Sequence, residues 1–164
     1  GRMAAVMPQG GLFRGNEEGR IREKLVKSDL VEAIVTLGDK LFYGTGLSPC
    51  FMILRRLKPA AHSARVLMID GTKILTAKRA QNILSPEDVD RLYELYCKYE
   101  DIEDFSKVVT IDDIAAKGYD LSPNKYVNYH KEEIRPYAEV LAEFKAAYEE
   151  VLKREAEFEK LINA

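Results

Sequence analysis

Apolar residues come in short, closely spaced blocks over the first half of the chain and in a helical rhythm over the second. Residues 2–7 are apolar after the leading arginine, the pattern of a strand covered on both faces, and Pro8-Gln9-Gly10-Gly11 ends it. A helix is predicted over 17–27: Ile21, Leu25 and Val26 mark one apolar face, and Glu17 and Glu18 sit at its amino end, where acidic side chains favour the helix dipole. Residues 30–37 (LVEAIVTL) read as a second strand, 49–55 (PCFMILR) as a third and 65–70 (RVLMID) as a fourth. Between the second and third lies a loop, 38–48, with three glycines. Ser85, with Pro86 and Asp88 after it, opens a helix running through Tyr99, with Val89, Leu92, Tyr93 and Tyr96 on one face. Val108-Val109 reads as a short strand, and Thr110-Ile111-Asp112-Asp113 repeats the capping pattern for a short helix to Lys117, closed by Gly118. Residues 119–127 read as extended chain. From 132 or 136 to 162 one long helix is predicted. Its apolar seam runs through Tyr137, Leu141, Phe144, Tyr148, Val151, Phe158 and Leu161-Ile162, spaced alternately four and three and broken at Glu155, as in a coiled coil.

Strand, helix, strand, loop, strand is the latter portion of a doubly wound α/β sheet. The loop-only connection between the second and third strands predicts an antiparallel hairpin at one edge. Three regions follow: 1–75 for the sheet, 76–127 as a helical and extended connection, and 128–164 for the long helix. A chain of 164 residues is long enough for one ordinary domain with a core. With 46% hydrophobic and 32% charged residues it has the composition of a globular chain rather than a disordered one. The apolar runs at 50–54 and 66–69 are too short to span a bilayer, and the apolar part of the amino terminus is too short for a signal peptide, so no membrane partner and a cytoplasmic location are expected. The net charge of −2 creates no global basic field, so a nucleic-acid partner would need a local patch. Cys50 lies in an apolar run and Cys97 on a predicted helix. With His62 and His130 far from each other they have no zinc spacing, and no metal is expected.

No Gly-x-Gly-x-x-Gly follows a strand, there is no phosphate-binding Gly-Lys loop, and no Ser/His/Asp set has a recognisable context. The acid pairs Glu17-Glu18 and Asp112-Asp113 stand at helix starts, where capping and dipole effects account for them. Two segments stand out. Pro8 to Gly15 (PQGGLFRG) places glycines, Phe13 and Arg14 just past a buried strand, where α/β sheets hold ligands; a connection whose Phe13 plugs the core fits equally well. Leu41 to Ser48 (LFYGTGLS) combines glycines, which let a ligand approach the backbone, with adjacent aromatic rings for stacking; a hairpin loop with its aromatics tucked beneath it is the alternative. Arg14, Arg20, Arg22, Lys24 and Lys27 outnumber the neighbouring acids, as on a phosphate-contacting face or on a solvated helix face.

Together these segments carry a resemblance. The run from Gly1 to Arg56, with its Gly-Arg-led strand, Leu12-Phe13-Arg14-Gly15, an acidic-then-basic helix, Leu41-Phe42-Tyr43-Gly44-Thr45-Gly46 and an apolar strand, resembles the second half of the catalytic domain in the methyltransferase subunits of type I restriction–modification systems. RVLMIDGT and YDLSPNKYV extend the resemblance over most of the chain. It implies a Rossmann-like methyltransferase sheet, S-adenosylmethionine as donor in the parent protein, and transfer to the exocyclic amino group of adenine in DNA. The family's Gly-rich donor loop and Asn-Pro-Pro-aromatic motif lie upstream of the matched region and are not in this sequence, whose six prolines are never adjacent. The expectation is therefore a fragment or split product, inactive and without donor when alone. A non-catalytic α/β interaction module and part of a stand-alone adenine methyltransferase are the alternatives. The resemblance places Phe42, then Tyr43, against a flipped adenine, with Gly44 and Gly46 shaping the loop. Gly10, Gly11 and Phe13 line the neighbouring wall, and Arg14, Arg20 and Arg22 touch phosphate. It also implies that the helix bearing Tyr137, Leu141, Phe144, Tyr148, Val151 and Phe158 docks on the specificity subunit, with the restriction subunit as a further partner. Packing on the chain's own helices is the alternative. The edge of a half-sheet would favour self-association.

Overall fold

The apolar blocks become strands β1 (Arg2–Pro8), β2 (Val31–Leu37), β3 (Pro49–Arg55), β4 (Arg65–Gly71) and β5 (Ser106–Thr110) in a computed structural model that describes residues 1–130 and 137–162. They form one mixed sheet in the order β1-β3-β2-β4-β5. β2 and β4 pair in parallel, and β3 runs antiparallel to both β1 and β2, so β1, β2 and β4 share one direction. The expected antiparallel pairing of β2 and β3 is present, but it does not lie at the edge. β1 returns outside β3 and pairs with it from Arg2↔Arg55 to Pro8↔Pro49. β3 is apolar at five consecutive positions, 50–54, which suits a strand with a partner on each side.

Helices α1 (Asn16–Lys27) and α3 (Ile111–Ala116) cover one face and α2 (Pro86–Lys98) the other. Period-two alternation divides the core between them. Ile34 and Met68 pack with Leu12, Val26, Ile114 and Leu121, while Ala33, Val35, Leu67 and Ile69 pack with Leu95. Both capping boxes form: Asp88 N–H donates to Ser85 Oγ and Asp113 N–H to Thr110 Oγ1, with the acid of each accepting in return. Gly118 takes a φ of +65°, the left-handed conformation that ends α3 without strain on a side chain.

Several expectations change. The 76–127 stretch supplies β5 to the sheet and α2 and α3 to its faces; Gly1–His130 is one compact unit and Lys131–Ala164 a second. The 119–127 segment is not simply extended: it turns at Pro123–Lys125 and buries Leu121, Tyr126 and Val127. On α1 the buried partner of Val26 is Arg22, 4% exposed, whereas Ile21 is 56% exposed. Ile21 looks over β1 beside Met3, Met7 and Leu54, where the sheet has no further strand among the described residues to cover it.

The second unit contains α4 (Tyr137–Ile162), about 39 Å long at 1.5 Å per residue. Tyr137, Phe144, Tyr148, Val151 and Phe158 of the expected seam are exposed and Leu141 is half-buried. The Phe144 and Tyr148 rings stack at 6.3 Å. The alternative helix start at 132 and the side chains of Leu161 and Ile162 lie outside the described residues. No helix among the described residues is long and apolar enough to cross a membrane.

A polar cluster lies under the amino end of β2. Glu32, 1% exposed, accepts from Arg55 Nη1 at 2.8 Å and from the Tyr96 hydroxyl at 2.9 Å. His62 stacks on Tyr99 with ring centroids 3.5 Å apart, and its buried Nδ1 has no hydrogen-bond partner. Burial lowers the His62 pKa; nearby Glu32 opposes this, and Arg55 and Lys58 add to it. The folded chain therefore resists protonating His62, and stability falls as pH drops below the ordinary histidine value of about 6.5. His62→Phe is expected to keep the stack and remove this acid loss. Urea midpoints at about pH 7 and about pH 5.5 should converge in the variant relative to the parent. An unaltered pH dependence would assign the loss elsewhere.

Candidate functional site

The carboxyl ends of β1, β2 and β4 lie on one side of the sheet, the place where open α/β sheets take ligands. Gly71 lets the end of β4 approach β2 closely: a Cβ there would stand 2.8 Å from the Thr36 carbonyl oxygen. One residue earlier, Asp70 collects donors. Its Oδ1 accepts from Thr72 Oγ1 at 2.6 Å, the Thr72 backbone N–H at 3.0 Å and Thr36 Oγ1 at 3.3 Å. Its Oδ2 accepts from the Tyr129 hydroxyl. Burial, and then the bond to Asp70, raise the Tyr129 pKa, so the phenol keeps its proton for that bond.

Past β1 the chain makes a tight turn at Gln9–Leu12. Gln9 Nε2 donates to the Leu37 carbonyl at 3.0 Å, fastening the turn to the end of β2. Leu121 N–H donates to the Leu12 carbonyl at 3.0 Å. Gln9, Phe13, Thr36, Asp70 and the 122–125 turn thereby enclose a cleft of about 320 Å³.

A second, smaller hollow of about 170 Å³ lies at the edge of the sheet, between the end of β1 and the 38–48 loop, lined by Val6, Met7, Pro8, Phe42, Thr45 and Leu47. Gln81 Nε2 donates to the Leu41 carbonyl at 3.0 Å and Asn82 N–H to the Lys40 carbonyl at 3.0 Å, bracing the loop from outside. Gly44 takes a φ of +73°, which favours glycine, while Gly46 has open space around it. Phe42 is 50% exposed and Tyr43 92% exposed, so neither ring is tucked beneath the loop.

The residues singled out in the sequence thus fall into two places. Phe42 lines the edge hollow, and Gly44 and Gly46 lie in the loop beside it without lining it. Phe13, exposed rather than plugging the core, faces the larger cleft. Gly10 lies under the Arg14 guanidinium, and Gly11 presents its carbonyl to Arg22. Arg14 and Arg20 are exposed beside Glu18 and Glu17, at 4.0 and 2.9 Å. Arg22 is a correction. Its Nη1 donates to the Gly11 carbonyl at 2.9 Å and its Nε to the Tyr119 carbonyl at 3.1 Å, so it ties two segments together inside the fold and is not presented to phosphate. The sequence reading passed over Asp70, Thr72, Asn124 and Tyr129. A polar Asp-Gly at the end of an apolar strand was the available signal for Asp70; nothing local links Tyr129 to it. Burial pushes the Cys50 thiol up to about 11, which makes it a core residue rather than a nucleophile. Among the described residues no group of three His, Cys, Asp or Glu is placed to hold a metal.

A mixed sheet with helices on both faces defines an open α/β chain. Comparison with known proteins narrows the class. The model of the N-6 DNA methylase family matches residues 1–134. The type I restriction enzyme MjaIX methylase subunit of Methanocaldococcus jannaschii is 36% identical over 172 aligned positions, covering 99% of this chain and 30% of that protein. The HindI methylase subunit of Haemophilus influenzae is 30% identical, covering 97% of this chain and 38% of that protein. The crystal structure of a type I restriction–modification methyltransferase subunit from Streptococcus thermophilus superposes with a TM-score of 0.72 at 30% identity, over 78% of this chain and 27% of that one. The chain belongs to the N-6 DNA methylase family, and it spans between 22% and 38% of the length of these relatives and of the related MjaVII subunit.

Proposed function

We propose that this chain is part of the methyltransferase subunit of a type I restriction–modification system, and that the complete protein transfers a methyl group from S-adenosylmethionine to the exocyclic amino group of adenine in DNA. Within it the chain supplies part of the target-base site. The observation that carries this reading is the edge hollow, where a half-exposed Phe42 stands on a glycine-shaped loop beside the carboxyl end of β1. An adenine taken out of the duplex needs an aromatic face to replace its lost stacking, and Phe42 offers one at the ligand side of the sheet. Tyr43 is the second aromatic on the same loop. Arg14 and Arg20, both exposed, are the phosphate contacts.

The residues present do not fit the methyl donor. The sequence holds no Gly-x-Gly-x-x-Gly after a strand and no Asn-Pro-Pro-aromatic run. Donor binding and the transfer step are therefore assigned to other parts of the complete protein, and these residues alone are inactive. DNA, the specificity subunit and the restriction subunit are the partners, with the exposed seam of α4 as the surface for a helical partner subunit. The isolated chain self-associates through the open edge of β1.

Phe42→Ala in the complete subunit is expected to weaken binding of DNA carrying a destabilised target adenine by about tenfold or more, since base–aromatic stacking contributes about 1–3 kcal/mol. Phe42→Tyr should retain most of it. Methylation kinetics unchanged in Phe42→Ala would remove Phe42 from the site.

A further inference from the structure

The target-base role leaves the larger cleft unused. It lies at the carboxyl ends of β2 and β4, away from the edge hollow, and at about 320 Å³ it has room for one heterocyclic base. Phe13 gives it an exposed aromatic wall. Asn124 stands exposed on the opposite turn, and its side chain holds no partner among the described residues. Asp70, half-buried, also lines the cleft. Among the described residues three hydrogen bonds converge on its Oδ1 and the Tyr129 hydroxyl reaches Oδ2, which keeps capacity to accept another.

Charge selects among ligands. Among the described residues Lys125 is the cation that lines the cleft; it is held by Asp120 at 2.5 Å, and Asp70 adds a second carboxylate. Two carboxylates against one ammonium repel a phosphate group. A flat, neutral ring bearing an amino group meets each feature: Phe13 takes its face, the Asn124 amide both donates and accepts at its edge, and Asp70 accepts from the amino group.

We propose that this cleft is a second nucleobase site, taking an unstacked, amino-bearing base, adenine in the simplest case. The proposal rests on the methyltransferase reading for its source, a base of the DNA strand.

The test titrates the ¹⁵N-labelled 164-residue chain with short single-stranded oligodeoxyadenylate, oligothymidylate and S-adenosylmethionine. With oligodeoxyadenylate, the Asn124 side-chain amide and the backbone amides of Gln9, Phe13 and Thr72 are expected to shift together. Phe13→Ala and Asn124→Ala, both at exposed positions that leave the core intact, should each weaken that binding by about tenfold. The same shifts produced by S-adenosylmethionine would overturn the assignment of this cleft to a base of the DNA strand. Equal response to oligothymidylate would overturn the role of Asp70 in reading an amino group. A cleft silent to all three overturns the site. If the complete subunit still loses methylation on Phe42→Ala, that failure leaves the proposed function standing.

Discussion

Arg55→Met is expected to destabilise the fold by about 3–5 kcal/mol, because it strands a carboxylate inside the sheet. Glu32 lies on the central strand β2 and is 1% exposed. Arg55 supplies its nearest cation at 2.8 Å; Arg2 and His62 approach only to 4.0 Å. Burial alone pushes the Glu32 carboxyl up, but hydrogen bonds from Arg55 and Tyr96, with the charges of Arg55 and Arg2, outweigh it and hold the group below the ordinary carboxylate value. A lowered folded pKa stabilises the protein at pH values above the unfolded value of about 4.3, and that contribution is lost as pH falls through the folded value. In Arg55→Met the balance reverses: desolvation dominates, Glu32 takes up a proton at higher pH, and the stability loss is greatest near neutrality. At about 2–4 °C per kcal/mol the midpoint should fall by roughly 6–20 °C. Glu32→Gln with Arg55→Met should recover much of the loss, since no charge then remains buried. A single variant within about 1 kcal/mol of the parent would mean that Tyr96 and Arg2 suffice for Glu32.

The second large effect is expected at Arg22. Its guanidinium joins the turn after β1 to the segment after α3 through the Gly11 and Tyr119 carbonyls. Burial lowers its pKa, opposed by Asp120 and Glu18. Removing two charge-assisted bonds, each contributing about 1.5–3 kcal/mol, places Arg22→Met at a loss of about 3 kcal/mol or more. The loss should be local in its consequences: amide exchange at 9–13 and 119–122 rises before the sheet opens. Arg22→Lys should recover only part, because a single ammonium on a flexible stem does not reproduce the planar fork that reaches both carbonyls. Uniform exchange across the fold in Arg22→Met would show that the tie adds global stability without shaping the turn.

Arg22 also shows where a sequence stops being informative. An arginine within a run of charged residues on an amphipathic helix reads as solvated, and only the position of Gly11 and Tyr119 in space makes it internal. The strands were legible because each is a block of apolar residues with a glycine, proline or polar turn after it; β3 falls on the expected 49–55. Ser85 and Thr110 were legible as caps because a capping box is local chemistry over four residues. The insertion of β3 between β1 and β2 was not, since pairing across dozens of residues leaves no periodicity to read. The candidate site divides in the same way. Phe42 and its glycines announced themselves as an unusual loop. The separation of Phe13 into a different cleft, and the meeting of Asp70 with Tyr129, depend on the fold.

The position of β3 also bears on how the chain forms during synthesis. β1 leaves the ribosome before β3, its only partner among the described residues, which follows about forty residues later. At about 5–20 residues per second, β1 spends roughly 2–8 s without the strand that seats it. Over that interval Met3, Val6 and Met7 have no partner among the described residues on the β3 side, and the arrival of β3 ends that exposure.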